Sequence, residues 1–212
     1  MTITWFGHSC FRVEAKGVTI LFDPFSKEIG LRPPRIRDDI ILVSHEHHDH
    51  NATDGTDGET FIIRNPGEYE RKGVAIQGIR AFHDKNEGAE RGMSTIYRVR
   101  VEDVTLCHLG DFGQASLSNE QIEAIGDVDV LFVPVGGTYT IDGKEAAAVA
   151  SAIEPKIIIP MHYAVDGLSI PNLDGPERFL KEVGLSPEKG DTLRVVAKDL
   201  PVDETKLFVF TL

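Results

Sequence analysis

Four apolar runs in this chain end in histidine or aspartate. The first is "IILVSHEHHDH", Ile40 to His50. "VAIQGIRAFHD" ends in His83 and Asp84, "VTLCHLGD" in His108 and Asp111, and "KIIIPMHY" brings His162. Each run is short, β-branched and apolar, as buried strands are. Of the eight histidines, His45, His47, His50, His83, His108 and His162 fall at these four ends, and His48 shares the first loop. Placement without constraint would scatter them over the surface. Strand C-terminal ends are where sheet proteins commonly assemble sites. The four ends are therefore expected to contribute to one site.

Strands dominate the first two thirds. The expected strands are Thr2–Trp5, Cys10–Glu14, Val18–Phe22, Ile40–Val43, Thr60–Arg64, Val74–Phe82, Ser94–Val101, Val104–Cys107, Val130–Pro134 and Ile157–Pro160, with a last one in "TKLFVFTL". Three helices are expected. "SNEQIEAIG" has Ser118 as N-cap and Gln121 three residues on, and "DGKEAAAVASAI" pairs Asp142 with Glu145 in the same way. "DGPERFLKEVG" opens near Pro176 and stops at Gly184. No linker, repeat or low-complexity tract divides residues 1–212, so one domain of packed sheets flanked by helices is expected. Periodicity alone leaves the architecture open.

The 212 residues are 41% hydrophobic, enough for a sizeable core. No run of about 18 apolar residues is present, so no transmembrane helix is expected. The opening "MTITWFGHSC" lacks a basic stretch followed by an apolar one, so a cytoplasmic protein without a signal peptide is expected. The net charge of −12 opposes attraction to nucleic acid or an anionic membrane. It leaves a small anionic substrate open, because a metal pair outweighs it locally. Cys10 and Cys107 read as buried free thiols. Oligomeric state stays open.

His45, His47 and Asp49 are spaced two apart, so on an extended segment they point to one side while Glu46 and His48 point to the other. A turn at His50 would add a third imidazole. Imidazole nitrogen and carboxylate oxygen suit borderline divalent metals. His8 in "WFGHSC" and Asp23 in "ILFDPF" also follow strands, and each reads first as hydrogen-bonded support near the same edge.

On "WFGHS", "LFDPF", "SHEHHDH", "AFHD", "HLGD", "PVGGTYT" and "IIPMHY", in this order from Met1 to Tyr163, the chain resembles the metallo-β-lactamase-fold hydrolase superfamily. It is similar to compact metal-dependent hydrolases related to the ascorbate-phosphate lactonase and N-acyl-phosphatidylethanolamine phospholipase D branches. The resemblance implies an α+β fold, a four-layer αββα sandwich with a two-metal site at one edge. It implies that His45, His47 and His83 hold one metal, that Asp49, His50 and His162 hold the other, and that Asp111 bridges them. Asp23 would brace the metal loop. His108 matches no ligand position and is expected to support the ligands from behind.

Two divalent ions, with Zn²⁺ expected ahead of Mn²⁺ or Fe²⁺, would hold a bridging hydroxide that attacks an ester, lactone or phosphoester. Asp49 and Asp111 are the expected catalytic carboxylates, Asp49 orienting the water and taking its proton. Substrate contacts are sought in Arg91, Tyr139 and Thr140, with His8, Asp23 and His108 as supporting or substrate-facing residues. The loop carrying Tyr139 leads into a helix N-terminus, where backbone amides favour anions. Arg32, Arg35 and Arg37 form a second basic loop. The alternatives are β-lactam or nucleic-acid hydrolysis on the same site, a di-iron redox protein, and a non-catalytic metal binder. Against specialised β-lactam hydrolysis, Asp111 stands where Cys or His is usual. Against the redox reading, His47 stands where Glu is usual.

Overall fold

The computed structural model describes residues 1–56 and 58–212. In chain order the strands are β1 (Thr2–Trp5), β2 (Phe11–Ala15), β3 (Val18–Phe22), β4 (Ile40–Leu42), β5 (Phe61–Ile63), β6 (Gly67–Arg71), β7 (Val74–Phe82), β8 (Met93–Val101) and β9 (Val104–His108). Then follow α1 (Asn119–Ile125), β10 (Val130–Pro134), α2 (Gly143–Ile153), β11 (Ile157–Met161), α3 (Glu177–Val183), β12 (Pro187–Gly190), β13 (Thr192–Arg194) and β14 (Lys206–Phe210). No helix among the described residues is long and apolar enough to cross a membrane.

Two mixed sheets carry the fold. One runs β13-β1-β2-β3-β4-β5, the other β12-β14-β11-β10-β9-β8-β7-β6. Their inner faces make one large core. Phe132 of β10 meets Phe11 and Phe22 of the opposite sheet, with ring centroids 4.5 and 5.9 Å apart. The central strands are buried on both faces, which explains their unbroken apolar sequences.

Outside the second sheet, α1 and α2 cover β7 and β10, and α3 packs on α2. Both α1 and α2 open with complete capping boxes, at Ser118 with Gln121 and at Asp142 with Glu145. The layer outside the first sheet is thinner. Alternate residues of β3 and β4, Leu21 and Ile41, point outward into a separate cluster with Phe25 and Ile29. That cover comes from the loop after β3, including a short 3-10 turn at Lys27–Ile29, and from Leu168 and Ile170. The result is a four-layer αββα sandwich whose outer layer on that side is mostly irregular chain.

The expected strands agree with the observed ones to within a residue or two. Three observed strands have no counterpart among them: β6, β12 and β13. All three are sheet edges. Edge strands pair on one side only and face solvent, so "GEYER", "PEKG" and "TLR" carry polar residues rather than an apolar run. Cys10 and Cys107 are buried free thiols.

Strand direction gathers the polar ends. β1 and β2 are antiparallel, as are β2 and β3, while β3, β4 and β5 run parallel. Thus β1, β3 and β4 all point the same way. In the second sheet, β9, β10 and β11 are parallel, and two antiparallel steps bring β7 into line with them. His8, Asp23, His45–His50, His83, Asp111 and His162 all follow strands of this set.

Candidate metal centre

The loop after β4 is not extended. The backbone N–H of His50 donates to the carbonyl of His47 at 3.0 Å, closing a turn. The turn splits the loop between two groups of side chains. The even spacing by itself would keep Asp49 beside His45 and His47. In the first group, Nδ1 of His47 lies 2.9 Å from Nε2 of His45 and 3.2 Å from Nε2 of His83. In the second, His50 stands with His162 and His8. Asp49 belongs with this second group, its Oδ2 lying 3.1 Å from His8 Nε2 and 3.6 Å from His50 Nε2.

Asp111 stands between the groups. Its Oδ2 is 3.2 Å from His162 Nε2, 3.4 Å from His83 Nε2 and 3.8 Å from His45 Nε2. Its Oδ1 faces His50 Nε2 at 3.3 Å and has no hydrogen-bond partner despite complete burial. Such an oxygen is costly unless a cation meets it. Burial opposes the charge on Asp111, but His162 and His50 outweigh it and hold its pKa well below the carboxylate range.

Hydrogen bonds behind the imidazoles determine which nitrogen faces inward. Asp23 accepts from the Ser44 N–H and the Ser44 hydroxyl, each at 2.7 Å. With the Ser44 proton so committed, His45 Nδ1 is the donor of its 2.9 Å bond to Ser44 Oγ, leaving His45 Nε2 a bare lone pair. Nδ1 of His50 donates to Asp23 Oδ2 at 2.9 Å, which turns His50 Nε2 inward. Burial, followed by the charge of His50, lowers the pKa of His45 to about 2. His47 and His83 are lowered too, chiefly by burial. Burial also opposes the charge of His50, yet Asp111 and Asp23 raise its pKa well above the usual value. The neutral imidazoles of His45, His47 and His83 beside the ionised Asp111 suit a divalent cation.

Glu46 and His48 belong to neither imidazole group, although His48 lines the cavity above them. Glu46 pairs with Arg64 at 2.8 Å, and the His48 side chain is 73% exposed. His108 is buried behind the site, with both nitrogens engaged. Its Nε2 donates to the Ser9 carbonyl at 2.9 Å, and its Nδ1 accepts from the Gly110 N–H at 3.1 Å. Its ring stacks on Phe22 with centroids 4.9 Å apart, so it ties the two sheets together just before Asp111.

A cavity of about 350 Å³ opens over the cluster. His47, His48, Asp49, His83, Asp111 and His162 line it, together with Arg91, Tyr139, Glu28, Ile29 and Ser169–Pro171. The Arg91 guanidinium lies 3.1 Å from the centre of the Tyr139 ring and forms no ion pair among the described residues. Asp84 places it. The Asp84 carboxylate accepts from the N–H groups of Asn86, Gly88, Glu90 and Arg91 at 2.7–3.0 Å. Sequence reasoning grouped Asp84 only with metal-ligand residue types. The signal for its actual role was "DKNEG", an aspartate followed by Asn and Gly, which favours a side chain closing its own turn.

Thr140 is buried and lies outside this cavity, its hydroxyl directed at the Ile141 carbonyl. At the helix N-terminus after it, the amides of Lys144 and Glu145 are already taken by the Asp142 side chain. Arg32, Arg35 and Arg37 are exposed and do not line the cavity, and Lys85 is paired with Glu145. The Ser169–Pro171 wall was not foreseen, because its residues carry no distinctive chemistry and reach the site only through packing. The Ser169 N–H donates to the Ile29 carbonyl at 2.8 Å.

Two stacked mixed sheets with a histidine and aspartate cluster at one edge define a metallo-β-lactamase-fold protein. A family profile described as "Beta-lactamase superfamily domain" matches residues 2–162. A UPF0173 metal-dependent hydrolase of Methanopyrus kandleri is 31% identical over 215 residues, covering 86% of this chain and 91% of the relative. A UPF0173 protein of Pyrococcus furiosus is 34% identical, covering 86% and 90%. The crystal structure of a candidate zinc-dependent hydrolase of the metallo-β-lactamase superfamily from Thermotoga maritima superposes with a TM-score of 0.79 at 38% identity, covering 99% of this chain and 97% of that one. The chain belongs to the UPF0173 metal-dependent hydrolases of the metallo-β-lactamase superfamily.

Proposed function

We propose that this metal-dependent hydrolase is dinuclear and cleaves an ester, lactone or phosphoester bond in a small anionic substrate. The observation that carries this reading is the position of Asp111, with imidazole nitrogens of both groups 3.2–3.8 Å from its two oxygens. His45, His47 and His83 would hold one ion, and Asp49, His50 and His162 the other, with Asp111 shared. The nitrogen-rich donor set favours Zn²⁺, in keeping with the zinc dependence given for the Thermotoga relative. When bound, such a pair supplies Lewis acidity and an activated water.

The protein groups divide the remaining work. Burial acts to raise the pKa of Asp49, but its hydrogen bond to His8 and the nearby His50 hold it far below the carboxylate range. Asp49 therefore stays ionised and orients the attacking water by accepting its proton in a hydrogen bond. Arg91 is the basic side chain in the cavity wall, and its planar donors match a phosphate or carboxylate oxygen pair. The modest cavity and the net charge of −12 favour a small molecule over a nucleic acid.

The test is a turnover screen of the Zn²⁺-loaded protein against aryl phosphodiesters, phosphomonoesters, lactones and β-lactams. Turnover of an anionic ester or lactone that requires metal and disappears in Asp111→Ala is expected. A folded protein with two bound metals that is inert across the panel, or that acts best on β-lactams, would count against the reading.

A further inference from the structure

We propose that His8 is a protein ligand of the second metal ion, beside His50 and His162. This assignment presupposes the dinuclear reading above and adds an imidazole to the ligand set expected from the resemblance.

The geometry points to it from three directions. First, His8 Nε2 lies 2.9 Å from His50 Nε2, and the His8 ring centre is 4.6 and 4.3 Å from those of His50 and His162. One nitrogen of each of the three lies within 4.8 Å of the others.

Second, the polar atoms of His8 match the expected ligands rather than a structural histidine. The ring is fully buried, and its Nδ1 has no hydrogen-bond partner. His83 and His162 share that condition. His108 is also fully buried, yet both of its nitrogens are satisfied by backbone groups. A purely supporting role gives His8 one proton on Nε2, facing both Asp49 at 3.1 Å and His50 at 2.9 Å, and leaves the other buried nitrogen unpaired. A cation facing Nε2 would take the lone pairs of His8 and His50 together in place of their 2.9 Å nitrogen-to-nitrogen contact, with Nδ1 left as it is in His83 and His162.

Third, the backbone is built to hold the ring there. Chain after β1 turns through Gly7 at φ 98° and His8 at φ 54°. A left-handed histidine is uncommon and needs surrounding structure to hold it. The His8 carbonyl accepts from the His162 N–H at 3.1 Å and from the Trp5 indole N–H at 3.0 Å. His162 is itself left-handed, at φ 52°. The two imidazoles are thus coupled through the main chain, from opposite sheets. At φ 98° Gly7 lies in the region that side chains rarely adopt, so the turn favours glycine there.

The test uses Co²⁺ as a spectroscopic metal. Purified apo-protein is titrated with Co²⁺ as wild type, His8→Gln and His8→Cys, with elemental analysis after dialysis. Wild type should bind two ions. His8→Gln should bind the first as wild type does. It should lose the second, or bind it more weakly by more than the roughly 10- to 100-fold that removing an outer support costs. In His8→Cys, a near-ultraviolet thiolate-to-cobalt band should appear with the second equivalent only. Wild-type affinity for both ions in His8→Gln overturns the proposal alone. A wild type that binds one ion overturns the dinuclear reading and the proposal with it. If His8→Cys does not fold, the titration of His8→Gln decides.

Discussion

Nδ1 of His50 lies 2.9 Å from Oδ2 of Asp23, and the same carboxylate holds both the backbone and the hydroxyl of Ser44. One buried aspartate after β3 thus orients one imidazole from each group: His50 directly, and His45 through Ser44. Asp23→Ala removes both supports and leaves buried donors unpaired, each costing about 1–3 kcal/mol. The expected result is a clear drop in thermal stability together with a roughly 10- to 100-fold loss of metal affinity. Competition with a chromophoric chelator measures the second effect. Unchanged affinity would mean that Asp23 serves the fold alone.

Arg91 should govern recognition of charge. Arg91→Ala is expected to lower kcat/KM for an anionic ester by roughly 10- to 100-fold, the range of a lost charge-assisted hydrogen bond. A neutral lactone should be cleaved nearly as before. Arg91→Lys should recover part of the loss, because lysine keeps the charge and loses the planar fork. An equal loss on both substrates would argue that Arg91 orders the loop instead.

His108 makes stability depend on pH. Burial lowers its pKa in the folded chain, against about 6.5 in the unfolded one. The unfolded state therefore binds a proton that the folded state refuses as pH falls below that value. The contribution of His108 is fully present above about pH 6.5 and fades toward lower pH, by at most about 1.4 kcal/mol per unit. His108→Gln lacks that titration. Urea midpoints of the apo-protein from pH 7 to 5 should fall less steeply in the variant. Parallel slopes would contradict this.

Gly113 is needed for close approach rather than for its own dihedral angles. A Cβ there would stand 2.5 Å from both the carbonyl carbon and the carbonyl oxygen of His83. Backbone cannot yield as a flexible side chain does, so Gly113→Ala should cost about 1–3 kcal/mol and displace His83. Calorimetry and metal titration on one sample would reveal both effects. Wild-type values in both would show that the chain absorbs the methyl group.

Much of the site can be read in the chain because strand composition and strand ends are local properties. β-branched runs such as "IILV" and "KIII" form strands wherever they pack, and residues just beyond them lie at strand ends. The capping boxes at Ser118 and Asp142 are equally local. β6, β12 and β13 escape such reading because an edge strand depends on its neighbour more than on its own residues. The Asp84 turn was legible in principle, from Asp followed by Asn and Gly, but its consequence for Arg91 emerges only when the loop is closed over the cavity.

The sequence by itself determined that His45–His50, His83, Asp111 and His162 follow strand-forming runs. The tertiary structure decided how they divide. A turn from His47 to His50 breaks the two-residue alternation, so Asp49 stands with His50 and His8 instead of His45 and His47. His8 and His162 are 154 residues apart in sequence, yet one backbone hydrogen bond joins them. Periodicity reports which side of its own element a residue occupies. Which partner it meets there follows from how two sheets pack across a shared core, and no local pattern carries that information.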